Sequence, residues 1–256
     1  MEISIKRDGL TLRGDLLRPE REKCPVVILF HGFMSSRGST DSHMFCKLAK
    51  SLVEAGLGVV KFDFNGHGES DGEFSDMNIY SEILDASKII DYVRSLPFVT
   101  EIYIAGHSQG ALVGGMAAGF YREVVKKLVM LSPAATIKED ALAGSCFGTP
   151  YDKERVPDYF PVVNEEQKHF NVGGLYFRIA RTIPVYETTS MFEGKTLIIH
   201  GTADDVVGVW GAEKYTEYMP NAELVLVEGE NHGLCAFAQD QIIHRVTAFL
   251  SKEDAG

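Results

Sequence analysis

Ile102-Tyr103-Ile104-Ala105-Gly106-His107-Ser108-Gln109-Gly110-Ala111-Leu112-Val113 is the stretch that decides the fold of this chain. Its first four residues read as a buried strand, and the Ala- and Gly-rich run at 110–121 reads as a helix. Between them stands a Gly-x-Ser-x-Gly string in the context that gives it meaning, a strand turning sharply into a helix. Glycines at both ends relieve crowding in such a turn. They expose Ser108 Oγ and set it at a helix N-terminus, which favours developing negative charge. Ser108 is therefore the candidate nucleophile.

Working outward, five more short runs read as strands: 26–30, 58–64, 127–131, 196–200 and 223–227. They are apolar nearly throughout rather than alternating, which suits central strands covered on both faces. Helical spacing recurs at 45–55, 78–96, 212–219 and 236–250. Strands alternating with helices imply an α/β, mostly parallel, doubly wound sheet. Residues 2–17 add an antiparallel hairpin turned at Asp8-Gly9 on one edge. One stretch breaks the rhythm. Residues 132–193 carry Pro133, Pro150, Pro157, Pro161 and Pro184, several aromatics and no strong strand. This is too long for a crossover and reads as a cap inserted over the C-terminal edge of the sheet, with 1–131 and 194–256 forming the core.

A serine hydroxyl needs a base to take its proton, and the base needs a carboxylate to fix its tautomer. After an elbow of this kind the chain order is Ser, then acid, then His, each in a loop after a late strand. Strand 196–200 runs into Gly201-Thr202-Ala203-Asp204-Asp205, and strand 223–227 into Glu228-Gly229-Glu230-Asn231-His232. Asp204 and His232 fall at those loops. The adjacent Asp205 competes, but the Gly-x-x-Asp offset favours Asp204 and leaves Asp205 to cap the next helix. Of the eight histidines only His232 follows the final strand. A tetrahedral intermediate also needs two preorganised N–H donors, and the backbone amides of Phe33, after His31-Gly32, and of Gln109 occupy the expected positions.

The rest of the composition excludes more than it assigns. With 256 residues, 45 % of them hydrophobic and 24 % charged, the chain can bury a core without metals or cross-links. A net charge of -11 repels nucleic acid and anionic membrane surfaces. No apolar run approaches the length of a membrane helix and the N-terminus lacks an apolar leader core, so a cytoplasmic enzyme is expected. Cys24, Cys46, Cys146 and Cys235 are scattered without metal-ligand spacing, and read as buried thiols. No metal or other cofactor is implied. The Asn65-Gly66-His67-Gly68 segment lacks the spacing of a phosphate loop and reads as a structural turn. The partner expected is a small ester, and monomer and homodimer both stay open.

From His31-Gly32-Phe33 through the elbow to Gly201–Asp204 and His232, the chain resembles the α/β-hydrolase superfamily. Within the insert, Leu131-Ser132-Pro133-Ala134-Ala135-Thr136, Asp140-Ala141-Leu142 and Gly173-Gly174-Leu175-Tyr176-Phe177-Arg178 are similar to bacterial feruloyl (cinnamoyl) esterases. That resemblance implies hydrolysis of hydroxycinnamate esters, such as those of ferulate, p-coumarate and caffeate, and a setting in plant-cell-wall degradation. It also implies that Asp140 and Tyr176 bind the phenolic hydroxyl of the acyl group. The residues alone reach an acyl-transfer hydrolase, which leaves carboxylesterase, thioesterase and acyl-peptidase open. The aromatics Phe147, Tyr151, Tyr159, Phe160 and Tyr176 suit either the lining of an aromatic slot or the insert's own core.

Overall fold

The computed structural model describes residues 1–146, 148–164 and 167–252, so Phe147 lies outside the described residues. The first half runs β1 (Glu2–Arg7), β2 (Leu10–Leu17), β3 (Cys24–Phe30), α1 (Met44–Glu54), β4 (Gly58–Phe62), α2 (Ile79–Ser95), β5 (Val99–His107), α3 (Gln109–Phe120) and β6 (Val125–Leu131). Then come α4 (Ile137–Ala143), β7 (Ser145–Cys146), β8 (Thr149–Pro150), β9 (Tyr159–Val163), β10 (His169–Gly173), α5 (Gly174–Ala180) and α6 (Val185–Thr189). The chain closes with β11 (Lys195–Gly201), α7 (Trp210–Tyr218), β12 (Ala222–Val227) and α8 (Gln239–Ser251).

Eight strands form one sheet in the order β1-β2-β4-β3-β5-β6-β11-β12. The pairs β1/β2 and β2/β4 are antiparallel and the remainder parallel. The Asp8-Gly9 turn has positive φ at both residues, 49° and 87°, the backbone that a tight hairpin needs. Along β3 the side chains alternate between two cores: Val26, Ile28 and Phe30 pack with α2 and α3, while Val27 and Leu29 pack with α1 and α8. Both faces are thus covered, which is why the strands read as continuous apolar runs.

Helix α3 is buried on every side, Phe120 excepted. It packs against the sheet, α2 and α6, and only small residues allow that approach: a Cβ on Gly115 would lie 3.0 Å from both Met130 Cε and Thr189 Cγ2. Helix α2 is held at its start by reciprocal hydrogen bonds between Asn78 and Ser81. Strands β6 and β11 pair side by side, and the segment between them leaves the sheet and rejoins it.

Three readings need correction. The insert does contain strands, since β9 and β10 form an antiparallel ribbon with Asn171 opposite Pro161. Pro161 masks the pattern in the sequence, yet a two-stranded ribbon has open edges where a missing N–H is tolerated. Helix α8 starts at Gln239 rather than 236, because the buried Glu230 carboxylate accepts the N–H groups of Ala236, Phe237 and Ala238. Finally, of the four thiols only Cys24 and Cys146 are buried; Cys235 is exposed and Cys46 half-buried. Among the described residues no helix is long and apolar enough to cross a membrane.

Candidate active site

The elbow is built by close approach. A Cβ on Gly106 would lie 2.3 Å from Gly110 O, and one on Gly110 would lie 2.2 Å from Phe30 O, so neither position accepts a side chain. Between them Ser108 is held at φ 54° and ψ −121°, a conformation that costs a non-glycine residue about 1–3 kcal/mol. This strain turns the Ser108 side chain out of the strand at the start of α3.

His232 Nε2 lies 3.0 Å from Ser108 Oγ, and His232 Nδ1 lies 2.7 Å from Asp204 Oδ2. With Nδ1–H donating to the carboxylate, the neutral ring presents the Nε2 lone pair to the serine hydroxyl. The other oxygen, Asp204 Oδ1, accepts the N–H groups of Val206 and Val207 at 2.9 and 2.8 Å. Burial alone would raise the Asp204 carboxyl, but hydrogen bonds from His200 and His232 and from the Val207 amide outweigh it and hold the group well below the usual carboxylate range.

Two further histidines brace this chain, and sequence reasoning missed both. His200 Nε2, fully buried at the end of β11, lies 2.9 Å from Asp204 Oδ2 and 3.2 Å from Val207 O. Both neighbours are acceptors, so Nε2 carries the proton. His107, the residue before the serine, donates from Nε2 to the His232 carbonyl at 2.9 Å and so ties the loop after β12 to the elbow. Burial pushes His107 down to about 4, which keeps it neutral. The signal for His200 was its position four residues before the acid on an otherwise apolar strand.

The loop after β3 lies against the elbow: a Cβ on Gly32 would sit 3.1 Å from Ser108 Cβ. His31 fixes that loop by accepting the Phe64 N–H at Nε2, 3.0 Å away, and donating from Nδ1 to Gly32 O at 2.8 Å. Burial pushes it down to about 4, so it holds this tautomer uncharged. Phe33 follows, and Gln109 is the first residue of α3, where an N–H has no carbonyl one turn earlier to bond.

A cavity of about 230 Å³ opens on Ser108 and is lined by both groups of sequence candidates, Phe33 and Gln109 from the core and Asp140 and Tyr176 from the insert. Thr136, Ser145 and Cys146 add to its polar lining. Asp140 Oδ2 accepts from Thr136 Oγ1 at 2.7 Å, and burial pushes its carboxyl up. Tyr176, buried, donates to Gln109 Oε1 at 2.6 Å. The remaining aromatics divide otherwise: Tyr151 and Phe160 pack on Phe177 with ring centroids 4.6 and 5.7 Å away, forming the insert's own core, and Tyr159 is 63 % exposed. Asp205 does not cap α7, whose cap residue is Val209; it lies in the turn at the cavity rim. The Gly66-His67-Gly68 turn wraps the buried Asp63 carboxylate, which accepts the Arg37 and Glu69 amides, so an anion finds its position already filled by a carboxylate.

The family model described as serine aminopeptidase, S33 matches residues 21–153, and that described as TAP-like protein matches residues 178–254. The chain belongs to this family of α/β-hydrolases. It is similar over 97 % of both chains to the structure of ferulic acid bound to Est1E from Butyrivibrio proteoclasticus, with 32 % identity and a TM-score of 0.89. Among curated proteins it is 25 % identical over 82 % of each chain to a monoglyceride lipase homolog of Monkeypox virus. It is 30 % identical to a lysophosphatidylserine lipase of Gallus gallus across 46 % of this chain and 30 % of that one. By class the protein is a carboxylic ester hydrolase.

Proposed function

We propose that the protein hydrolyses hydroxycinnamate esters through an acyl-enzyme on Ser108, with His232 as general base and Asp204 as the acid that orients it. The observation that carries this reading is the hydrogen-bonded chain Asp204–His232–Ser108, ending at the floor of a cavity roofed by the insert. Ser108 Oγ attacks the ester carbonyl as its proton passes to His232 Nε2. The Phe33 and Gln109 backbone N–H groups receive the developing oxyanion. His232 then gives the proton to the departing alkoxide, leaving an acyl group on Ser108. Water repeats the steps in reverse roles: His232 takes its proton, the acid is released and Ser108 regains its hydrogen.

The cavity supports this choice of acyl group. Its volume of about 230 Å³ is below the drug-sized range, and one wall is the paired Phe33 and Tyr176 rings, 5.3 Å apart, which suits one planar aromatic acyl group. At the insert end stand Asp140, whose carboxyl has acceptor capacity beyond the one bond from Thr136, and the Tyr176 oxygen, which can accept while its hydrogen serves Gln109. A para-hydroxyl donating to either completes the fit, and Est1E, of similar fold, binds ferulic acid. A larger cleft of about 600 Å³ between Arg122 and Gly194 has no Ser, His or Asp in its lining and plays no part in this reading. The test is kcat/KM for methyl p-coumarate, methyl cinnamate and a short aliphatic ester. Wild type should favour p-coumarate over cinnamate by about tenfold or more, because a buried acceptor left unpaired costs about 1–3 kcal/mol. Asp140→Ala should collapse that ratio. Higher kcat/KM for the aliphatic ester than for every cinnamate would refute the acyl assignment.

A further inference from the structure

The proposed mechanism uses the backbone N–H of Gln109, and the side chain of this residue is itself held at both polar ends. Tyr176 Oη donates to Oε1 at 2.6 Å, and Nε2 donates to Glu82 Oε2 at 2.8 Å. All three side chains are buried, with 1 % of Glu82, 2 % of Gln109 and 4 % of Tyr176 exposed. Tyr176 comes from α5 in the insert and Glu82 from α2 behind the elbow, so the Gln109 carboxamide is clamped between the roof and the back of the site. The Tyr176 ring also packs on Phe33, 5.3 Å between centroids, and thus touches both residues whose amides the proposed mechanism assigns to the oxyanion. A buried carboxyl behind a nucleophile is expensive unless satisfied. An apolar pair would fill this space at lower cost, whereas a satisfied polar chain holds one geometry.

We propose that Glu82 and Tyr176 are positioning residues for the oxyanion hole, acting through the Gln109 side chain, so that docking of the insert sets the geometry of the hole. The inference rests on Ser108 chemistry but not on the identity of the acyl group. Burial pushes the Glu82 carboxyl up to about 8, so near neutral pH it is mostly protonated and accepts the Gln109 hydrogen as a carbonyl oxygen would. Glutamine at position 82 can do the same, and leucine cannot. Misplacing a preorganised donor costs rate in the transition state and leaves the ground state almost untouched.

The experiment uses methyl cinnamate, which has no ring hydroxyl, with full-length wild type, Tyr176→Phe, Glu82→Leu, Glu82→Gln and Ser108→Ala. Tyr176→Phe and Glu82→Leu should each lower kcat by about tenfold or more at nearly unchanged KM. The same variants should weaken an aryl trifluoromethyl ketone, whose adduct with a serine places an oxyanion in the hole, by a similar factor. Glu82→Gln should stay within about threefold of wild type in both readouts. Wild-type kcat on methyl cinnamate in Tyr176→Phe, or a loss confined to KM, overturns the proposal; Tyr176→Phe removes one hydroxyl and decides the matter even if Glu82→Leu does not fold. Full turnover by Ser108→Ala would instead sink the serine mechanism itself.

Discussion

Replacing Asp204 by asparagine changes one atom, and the structure dictates which. Oδ1 accepts two backbone amides, from Val206 and Val207, so the asparagine oxygen must stay there and the new NH2 must take the position of Oδ2. That group faces His232 Nδ1 at 2.7 Å and His200 Nε2 at 2.9 Å, both of which donate in the wild type. To avoid opposed hydrogens His232 must move its proton to Nε2, which then points at Ser108 Oγ and can no longer accept its hydrogen. His200 must shift its proton to Nδ1, which has no partner among the described residues, and loses its bond to Val207 O. The wrong tautomer and the missing charge opposite a forming imidazolium together cost about 4–5 kcal/mol, a thousandfold or more in kcat. Asp205→Asn, at the rim, should stay within about threefold. The assay is kcat on methyl ferulate for both variants, with thermal unfolding to verify the fold. More than about a tenth of wild-type kcat in a folded Asp204→Asn, or a larger loss in Asp205→Asn, would refute the reasoning.

Ser108→Ala and His232→Ala should each cost about a thousandfold or more in kcat, and the double variant should lose little beyond either, because the groups act as one unit; additive losses would separate their roles. Stability should fall as pH drops from 6.5 towards 4. Burial holds His31 and His107 near 4 and His67 near 3, so the unfolded chain takes up protons that the folded one refuses, and the contribution present above 6.5 is lost as pH falls. A urea midpoint unchanged from pH 7 to pH 4 would contradict this. Glu82 has the opposite sign. Its folded value near 8 lies above the ordinary 4.5, so its contribution is complete below 4.5 and is lost as pH rises to 8. The stability of Glu82→Gln relative to wild type should therefore grow across that window, and a constant difference would argue against a buried titrating carboxyl.

What could be read in the sequence was what backbone contact dictates locally. Gly106 and Gly110 are glycines because carbonyls stand about 2 Å from where a Cβ would be, and that necessity leaves a fixed spacing around Ser108. The meeting of Asp204 and His232 with Ser108 could be anticipated from chain order, each lying in the loop after a late strand. The Tyr176–Gln109–Glu82 chain was not, since it joins an insert helix, the elbow and α2 across separations of 67 and 27 residues with no period to betray it. His200 was hidden for a different reason. A polar residue ending an apolar strand reads as a boundary, and only the fold brings it to the second lone pair of Asp204 Oδ2. The start of α8 was misread because alanines at 236 and 238 favour a helix, while Glu230, six to eight residues earlier, takes their amides first.

The most direct test of Ser108-centred hydroxycinnamate hydrolysis is peptide mass analysis of the enzyme quenched in acid during turnover of methyl ferulate. The mechanism predicts one feruloyl group, attached to Ser108 and absent from Ser108→Ala. Sustained release of ferulate with Ser108 unmodified, and equal release by Ser108→Ala, would contradict it.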